Sequence, residues 1–187
     1  MRRVLFFMMT SLDGYFEGPG QSIDWHNVDE EFNQFAIDQI GEVDTLLFGR
    51  VTYEGMASYW PTTDAVANDP EVAGLMNSLS KVVFSNTLAG ADWSNTTLVA
   101  GDAAVELARL KQQPGKDMII FGSSNLAASL AERGLIDEFR VMINPVLLGG
   151  GTPLLHGIYQ RLNLRLLSAR PFASGNVLLS YAPDGSR

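Results

Sequence analysis

The 187-residue chain contains no cysteine and only two histidines, His26 and His156. Without cysteine there can be no disulfides, thiolate metal ligands or cysteine nucleophiles. Neither histidine has a partner at the spacing of a metal site, so we expect no bound metal. We expect His26 to lie at the surface, with contact to a ligand as the alternative, and His156, which follows two leucines, to be structural.

The chain also lacks positive charge and long hydrophobic runs. Its 13 lysines and arginines are outnumbered by 21 aspartates and glutamates, for a net charge of −8, whereas a nucleic-acid-binding protein needs a basic surface. A local arginine can still bind one small phosphorylated ligand. No segment approaches the roughly 18 apolar residues of a membrane span, and the apolar run Val4–Met9 is too short for a signal peptide. We therefore expect a cytoplasmic protein that contacts neither nucleic acid nor membrane.

Three familiar motifs of catalytic and nucleotide-binding sites are absent. The chain has neither the G-x-G-x-x-G of dinucleotide-binding folds nor the G-x-x-x-x-G-K-[ST] of phosphate-binding loops. It also has no G-x-S-x-G, the turn that carries the nucleophile of many serine hydrolases. Any nucleotide site must therefore be assembled from weaker elements on several strands.

What the chain does contain is a regular alternation of strand and helix signals. Hydrophobic residues make up 46% of the chain and charged residues 18%, which is typical of a globular protein, and the length fits one domain over residues 1–187. Short unbroken apolar runs indicate strands buried on both faces, as in a parallel sheet covered by helices. We predict such strands at Val4–Met9, Val43–Phe48, Lys81–Ser85, Thr96–Val99 and Met118–Phe121.

Helical periodicity lies between these strands. Helices are predicted from Asp29 to about Gly41, from near Arg50, over Glu71–Leu79, over Asp102–Leu110, and around Leu126 and Leu130. Turn residues predict loops over Thr10–Gln21 and Trp60–Pro70. Strands and helices that alternate in this way are typical of an α/β fold with a largely parallel sheet.

The last third of the chain has strands without helices between them. Phe139–Val146, Asn163–Ala169 and Val177–Tyr181 have strand character, and a glycine-rich loop, Leu147–Pro153, follows the first of them. Strands joined in this way favour antiparallel pairing at one edge of the sheet. We therefore predict a three-layer α/β/α fold around a mixed, mostly parallel central sheet with antiparallel carboxyl-terminal strands.

The segment Asp44–Met56 carries the clearest candidate for a ligand site. Its apolar strand stops at Gly49, where the backbone can turn sharply or let a ligand approach closely. A helix that opens there presents free N–H groups and the positive end of its dipole, so an anion could bind and Arg50 could fork onto phosphate oxygens. The alternative is an ordinary strand–turn–helix joint with a surface arginine.

Similar residues follow the other predicted strands. In an open α/β sheet, ligands bind beyond the carboxyl ends of the parallel strands. Glycines, small hydroxyl side chains and one arginine recur at those ends: Met9, Thr10, Ser11 and Asp13; Gly49, Arg50 and Thr52; Ser85, Asn86 and Thr87; Gly122, Ser123 and Ser124. Together they predict a site for an elongated, phosphate-bearing nucleotide along one sheet edge.

Several short motifs also occur in a fixed order along the chain. A strand is followed by Leu12-Asp13-Gly14, then by Trp25 before an acidic helix start, and then by the motifs Leu47–Glu54, Val83–Thr87, Phe121–Leu126, Gly134–Phe139 and Asn144–Gly151. This set resembles the dihydrofolate reductase superfamily, and most closely the reductase domain of bacterial riboflavin biosynthesis and its stand-alone relatives. The resemblance extends roughly from Arg3 to Tyr181.

The resemblance implies a dihydrofolate-reductase-like domain that uses NADPH. The matching cofactor residues would be Met9, Thr10, Gly49, Arg50, Thr52, Ser85, Asn86, Thr87, Gly122, Ser123, Ser124, Asn125 and Leu126. The segment Gly49–Thr52 would hold phosphates, Ser85–Thr87 the adenosine ribose and its 2′-phosphate, and Gly122–Leu126 the pyrophosphate and nicotinamide ribose. Relatives often have a second glycine where this chain has Ser123. Nothing basic stands beside Ser85, so the choice between NADPH and NADH would depend on Arg50.

The resemblance also implies a substrate site near the first helix and the Leu12–Gly20 loop. In folate reductases one carboxylate on that helix grips the pterin ring and helps to protonate it, and either Glu30 or Glu31 matches this catalytic position. Asp13, Trp25 and Asp29 would contact the substrate. Acidic residues are also favoured in any first helical turn, so capping is the alternative for these carboxylates.

The substrate implied by the resemblance is a pterin-like or pyrimidine-like heterocycle, of the dihydrofolate or 5-amino-6-ribosylaminouracil phosphate type. Enzymes that bind a ribosyl phosphate usually carry extra basic residues, and no basic cluster stands near the first helix or Gly149–Gly151. The resemblance further implies a homodimer paired through the carboxyl-terminal strands. Two alternatives stay open: a non-catalytic nucleotide-binding or regulatory protein that kept the fold, and a structural or interaction protein whose glycine loops are only turns.

Overall fold

The computed structural model describes residues 1–185. Its strands are β1 (Val4–Ser11), β2 (Tyr15–Glu17), β3 (Val43–Gly49), β4 (Ser80–Phe84), β5 (Thr96–Val99), β6 (Asp117–Phe121), β7 (Glu138–Asn144), β8 (Thr152–Pro153), β9 (Leu164–Pro171) and β10 (Val177–Pro183). Its α-helices are α1 (Glu30–Gly41), α2 (Arg50–Tyr59), α3 (Thr63–Asn68), α4 (Pro70–Ser78), α5 (Ala103–Lys111) and α6 (Ser124–Glu132). Within the described part of the chain, no helix combines the length and apolar character that crossing a membrane requires.

Eight of the strands form one mixed sheet in the order β5-β4-β3-β6-β1-β7-β10-β9. The six strands from β5 to β7 pair in parallel, and β10 and β9 extend the sheet with antiparallel pairs. The predicted mostly parallel sheet with an antiparallel carboxyl-terminal extension is confirmed. The extension begins one strand later than predicted, because β7 follows the crossover helix α6 and pairs in parallel with β1.

Each face of the sheet carries its own hydrophobic core. In β1, Leu5 and Phe7 pack into the core beneath α1, α2 and α4, whereas Val4 and Phe6 pack into the core beneath α5 and α6. Successive side chains of a strand point to opposite faces, so a strand covered on both sides must be apolar at every position. This arrangement confirms the three-layer α/β/α fold and explains why the apolar runs in the sequence do not alternate.

Two segments predicted as loops contain regular structure. The segment Trp60–Pro70 includes α3, whose first turn is capped by Thr62 through a hydrogen bond from the Ala65 N–H to Oγ1 at 3.2 Å. The segment Thr10–Gln21 includes β2, which pairs with β8. The prolines and glycines in these segments start or end short elements, so the prediction of uninterrupted loops is wrong.

Candidate functional site

The carboxyl ends of three neighbouring strands form the centre of the candidate site. β3, β6 and β1 lie side by side in the sheet and end at Gly49, Phe121 and Ser11. α2 starts directly after β3, and two residues, Gly122 and Ser123, separate the end of β6 from the start of α6. Two helix starts therefore lie close together at the sheet edge where the sequence predicts a ligand.

Two hydrogen bonds fix the turn after β3 against the turn after β6. The Gly49 N–H donates to Oγ of Ser123 at 2.9 Å, and the Ser123 N–H donates to Oγ1 of Thr52 at 2.9 Å. Ser123 has left-handed backbone angles, φ 52° and ψ 48°, which cost a non-glycine residue roughly 1–2 kcal/mol. The Ser123 hydroxyl thus joins the two turns, and a glycine at this position could not form that hydrogen bond.

A cavity of about 380 Å³ opens over both helix starts. We call it the polar cavity; it is lined by Gly49–Thr52 and Ser123–Leu126, together with Phe16, Glu17, Gln21 and Thr152. Neither α2 nor α6 has a side-chain N-cap, whereas α1, α3 and α5 are capped by Asp29, Thr62 and Asp102. The first-turn N–H groups of α2 and α6 therefore lack a side-chain acceptor, and both helix dipoles favour an anion in this cavity.

Arg50 stands at the rim of the polar cavity. Its side chain is 45% exposed and forms an ion pair with Glu54, one turn further along α2, at 2.8 Å. Exposed ion pairs of this kind contribute about 1 kcal/mol or less. Arg50 can therefore exchange Glu54 for a phosphate oxygen at little cost.

The other predicted residues of this wall have defined positions. Ser124 is buried, and its Oγ accepts a hydrogen bond from the Leu155 N–H at 2.9 Å. Asn125, the second residue of α6, is exposed. Leu126 is partly buried and lies near Gly49. Ser124 thus joins α6 to the segment after β8, while Asn125 is open to a ligand.

A second cavity of about 390 Å³ lies on the face of the sheet covered by α1 and α4. We call it the apolar cavity; its wall includes Met9, Phe121 and Gly122 at the strand ends, and Phe32, Ala36, Trp60, Val72 and Met76 from the helices. Gly122 has φ +58°, and a Cβ there would lie 3.0 Å from Cγ2 of Thr52. Gly122 lines the apolar cavity and the next residue, Ser123, lines the polar cavity. The two cavities therefore adjoin at one turn.

His26 lies in the wall of the apolar cavity, so the prediction of a surface position is wrong. Its Nε2 is buried and has no hydrogen-bond partner among residues 1–185. Burial lowers the pKa of His26, and a hydrogen bond to the backbone of Phe16 opposes that shift. The alternative, contact between His26 and a ligand, stays a prediction. His156, predicted to be structural, has an exposed side chain.

The acidic residues at the start of α1 line neither cavity. Asp29 Oδ1 accepts a hydrogen bond from the Phe32 N–H at 2.8 Å, which confirms the capping alternative for this residue. Glu31 accepts hydrogen bonds from the Ala173 N–H and the Arg170 guanidinium, and these two contacts lower the pKa of its carboxyl. Glu30 is exposed, and none of the three residues lines either cavity. A catalytic role for Glu30 or Glu31 stays a prediction to which this geometry adds nothing.

Two further residues predicted to bind substrate have structural partners. Hydrogen bonds from the Ser11 hydroxyl and from the Gly149 and Leu148 N–H groups lower the pKa of Asp13 to about 2. Asp13 thereby ties the end of β1 to the glycine-rich loop. The Trp25 Nε1–H donates to the carbonyl of Ser22 at 3.0 Å. Neither Asp13 nor Trp25 lines a cavity, so substrate contact by them also stays a prediction.

The remaining predicted cofactor residues divide into two groups. Met9 lines the apolar cavity, and Thr10 beside it is buried, with its carbonyl bonded to Nδ2 of Asn144 at 3.2 Å. The group Ser85, Asn86 and Thr87 follows β4 and lies outside both cavities. Ser85 Oγ accepts from the Thr87 N–H at 3.2 Å, and Asn86 Oδ1 accepts from the Gly101 N–H at 2.6 Å. A contact between these three residues and an adenosine ribose stays a prediction.

Sequence reasoning missed several residues of the two walls. Asp69 lies between α3 and α4, lines the apolar cavity, and does not cap α4 with its side chain. Glu17 and Thr152 line the polar cavity and share a hydrogen bond of 2.5 Å. The sequence Asp69-Pro70 predicts a turn. It does not predict α3, the helix that precedes Asp69 and determines its position at the cavity. The contact between Glu17 and Thr152 spans 135 positions and has no local signal.

Comparison with known proteins finds a matching family model, similar sequences and similar structures. A model of the RibD C-terminal domain family matches residues 2–178. The uncharacterized protein YyaP of Bacillus subtilis is 33% identical over 98% of this chain and 96% of its own length. A crystal structure of a putative riboflavin biosynthesis protein from Shewanella sp. PV-4 has a TM-score of 0.75 and 25% identity, and the match covers 97% of this chain and 99% of that one.

A dihydrofolate reductase has the same fold. The enzyme of Enterococcus faecalis, whose structure is complexed with NADP(H), has a TM-score of 0.66 at 15% identity over 97% of this chain and 96% of its own. At this identity the likeness concerns the fold alone. The predicted dihydrofolate-reductase-like architecture, and the predicted resemblance to the riboflavin reductases, are confirmed.

Proposed function

The chain belongs to the RibD C-terminal domain family, and we propose that it is an NADPH-dependent reductase acting on a pterin-like or pyrimidine-like heterocycle. The observation that carries the proposal is the pair of uncapped helix starts at the polar cavity, directly beside the apolar cavity. A dinucleotide has the same two chemical parts, because its phosphates are anionic and its nicotinamide ring is flat and largely apolar.

The residues around the two cavities fit such a cofactor. The free first-turn N–H groups of α2 and α6, with Arg50 at the rim, would hold the phosphates. Met9 and Gly122 would border the nicotinamide ring, where the two cavities adjoin. Glycine suits this position, since φ +58° and the nearby Thr52 leave little room for a side chain.

The reaction would reduce a C=N bond, which lies in the ring of a dihydropterin or, for a ribosylaminouracil, in the open-chain imine that joins the sugar carbon to the amino nitrogen. Bound NADPH would supply a hydride to the carbon and leave as NADP⁺, while the nitrogen would take a proton from solvent or from an acidic side chain. The protein's part would be to orient the two rings and to exclude water. The Phe32, Ala36, Trp60 and Val72 side chains of the apolar wall are suited to that role.

The proposal is tested by titrating the protein with NADPH and following nicotinamide fluorescence, and then by following NADPH oxidation with an acceptor. We expect saturable binding, and oxidation with dihydrofolate or with 5-amino-6-ribosylaminouracil phosphate or its dephosphorylated form. Binding without oxidation by any acceptor of this class would favour the non-catalytic nucleotide-binding alternative. The absence of binding at millimolar NADPH would exclude both and leave a structural or interaction protein.

Arg50 should contribute measurably to cofactor affinity. Replacing it with alanine should weaken NADPH binding by about 1.5 kcal/mol, the lower end of the range for a charged hydrogen bond, because the side chain is half exposed and already paired with Glu54. The dissociation constant from the fluorescence titration would rise roughly tenfold.

Glu54 provides the matched control for Arg50. The Glu54→Gln variant removes the competing carboxylate and leaves Arg50 in place, so NADPH should bind as tightly as in the wild type or more tightly. If Arg50→Ala leaves the dissociation constant unchanged, the arginine is a surface residue and the interpretation of an ordinary strand–turn–helix joint applies to it.

We also propose a homodimer through β9. All eight residues of this edge strand are exposed, and its apolar side chains Leu164, Leu166 and Leu167 are each more than two-fifths accessible. An exposed apolar edge strand readily pairs with another strand, and two copies of one edge can pair antiparallel about a two-fold axis.

Light scattering tests this assembly. The wild-type mass should be twice the 20.4 kDa of one chain, and Leu166→Lys should lower it toward a monomer because the charge would be buried at the contact. Val105→Lys is the control, since Val105 is 69% exposed on α5 and lies away from β9. A monomeric wild type would refute the dimer.

A further inference from the structure

The charge of the apolar cavity restricts the ligands that it can hold. Among the described residues that line it there is no lysine or arginine, and Asp69 is its one carboxylate. A phosphate ester carries about −1.5 to −2 charges at neutral pH, and proteins usually bind it with arginine, lysine or clustered N–H donors. A phosphate in this cavity would meet a carboxylate and no cation.

Two arginines of the carboxyl-terminal strands, Arg140 and Arg170, are paired with carboxylates. Arg140 reaches the cavity-lining residue Gln39 through a long hydrogen bond of 3.4 Å, but it does not itself line the cavity. Its guanidinium is paired with Glu138 at 2.7 Å and with Glu42 at 2.9 Å. Arg170 is paired with Glu31. Neither arginine lines the apolar cavity.

The wall also holds a polar atom without a partner. The Nε2 atom of His26 is buried and makes no hydrogen bond within residues 1–185. A neutral imidazole nitrogen donates or accepts a hydrogen bond according to the tautomer, so Nε2 can pair with a ligand group of either kind. Buried polar atoms are rarely left unpaired, and an exception in a cavity wall points to a ligand.

The backbone next to His26 is held firmly. The Asn27 N–H donates to Oδ1 of buried Asn144 at 2.9 Å, and the Asn27 carbonyl accepts from Nδ2 of buried Asn176 at 2.8 Å. The Trp25 ring packs edge-on against the imidazole, with ring centroids 4.5 Å apart. The position of Nε2 is therefore set before a ligand arrives, which reduces the entropy lost on binding.

We propose that the apolar cavity binds an uncharged or cationic heterocycle without a phosphate group, and that this heterocycle forms a hydrogen bond with Nε2 of His26. The inference rests on the proposed function and narrows its substrate class, because it excludes the phosphorylated acceptor. His26 would act as a specificity-determining residue. Asp69 would disfavour anions and would favour substituents that donate hydrogen bonds or carry positive charge.

A matched pair of ligands tests the charge argument. The 5-amino-6-ribosylaminouracil is prepared with and without its 5′-phosphate, and each form is titrated calorimetrically into the protein with and without NADP⁺. The dephosphorylated form should bind at least tenfold more tightly. Equal or tighter binding of the phosphorylated form, or binding of neither form, would overturn the inference.

These outcomes stay separate from those of the proposed function. If NADPH binds and the phosphorylated form is the better acceptor, the reductase proposal stands and the inference fails. If NADPH does not bind, the reductase proposal fails, and the titrations without NADP⁺ still decide whether the cavity selects against phosphate. An Asp69→Lys variant should shift the binding preference toward the phosphorylated ligand. Asp69→Asn should reduce the difference in affinity between the two ligands without reversing it.

His26 is tested against the other histidine of the chain. His26→Phe should weaken binding of the dephosphorylated ligand at least tenfold and leave the NADPH dissociation constant unchanged. His156 is at an exposed position outside both cavities, so His156→Phe should change neither dissociation constant. In case His26→Phe does not fold, nitrogen NMR of the wild type gives a second measurement. The Nε2 resonance of His26 should shift when the ligand binds, and an unchanged resonance in the saturated complex would overturn its assignment.

Discussion

Replacing Gly151 with alanine should destabilise the protein by about 2–4 kcal/mol in denaturant unfolding. Gly151 has φ +130°, and a Cβ at this position would lie 2.0 Å from the Glu17 carbonyl oxygen and 3.0 Å from Cα of Gly18. The φ value alone costs an alanine about 1–3 kcal/mol. The clashing atoms belong to backbone, so β2 and β8 would have to separate, and disruptions of this kind lie at the upper end of single-substitution effects.

The Gly151→Ala substitution should also weaken NADPH binding. Glu17 and Thr152 belong to the paired strands and line the polar cavity, so a shift of β2 away from β8 would deform that wall. In the NADPH titration we expect a higher dissociation constant at temperatures where the variant is still folded. A variant that is destabilised but binds NADPH as the wild type does would show that this part of the wall does not contact the cofactor.

Gly150 is a neighbouring control for Gly151. A Cβ at Gly150 would meet nothing closer than Cγ of Pro19 at 3.9 Å, and its backbone is outside the left-handed region. Gly150→Ala should therefore change the free energy of unfolding by no more than about 0.5 kcal/mol. Similar losses in the two variants would mean that the loop as a whole resists substitution, and that the contact with Glu17 is not the cause.

The sheet was predictable because its strands are buried on both faces. The run Val4–Met9 is apolar at every position since alternate side chains enter different cores, and such a run has few other interpretations. Gly49 and Gly122 mark where two neighbouring strands end, so the sequence also located the sheet edge that forms the polar cavity. These features depend on residues close together in the chain.

The substrate side was less predictable because it depends on contacts between distant segments. Glu30 and Glu31 fit the expected spacing, but the α1 surface that lines the apolar cavity is that of Phe32, Asn33 and Ala36. The position of His26 depends on Asn144 and Asn176, more than 100 residues away. The local sequence does not predict which side chain of a loop such a long-range hydrogen bond places in the cavity wall. Motif spacing therefore located the first helix correctly without identifying the side chains that line the cavity.

An aspartate at position 125 should stabilise the protein and weaken NADPH binding at the same time. Asn125 is the exposed second residue of α6 and lines the polar cavity. A carboxylate in the first turn of a helix without a side-chain cap interacts favourably with the helix dipole, so Asn125→Asp should raise the free energy of unfolding by about 0.3–1 kcal/mol.

The carboxylate that Asn125→Asp introduces would lie where the phosphates of the proposed cofactor would bind. Two like charges about 4 Å apart near a protein surface repel by up to roughly 4 kcal/mol, so after partial screening we expect NADPH binding to weaken by about 2–3 kcal/mol, or roughly 30- to 150-fold. Added salt should reduce this loss. Asn125→Ser, which removes the amide without adding charge, should show neither the large loss nor its salt dependence. If Asn125→Asp stabilises the fold and leaves NADPH affinity unchanged, the start of α6 is an ordinary helix terminus and the phosphates bind elsewhere.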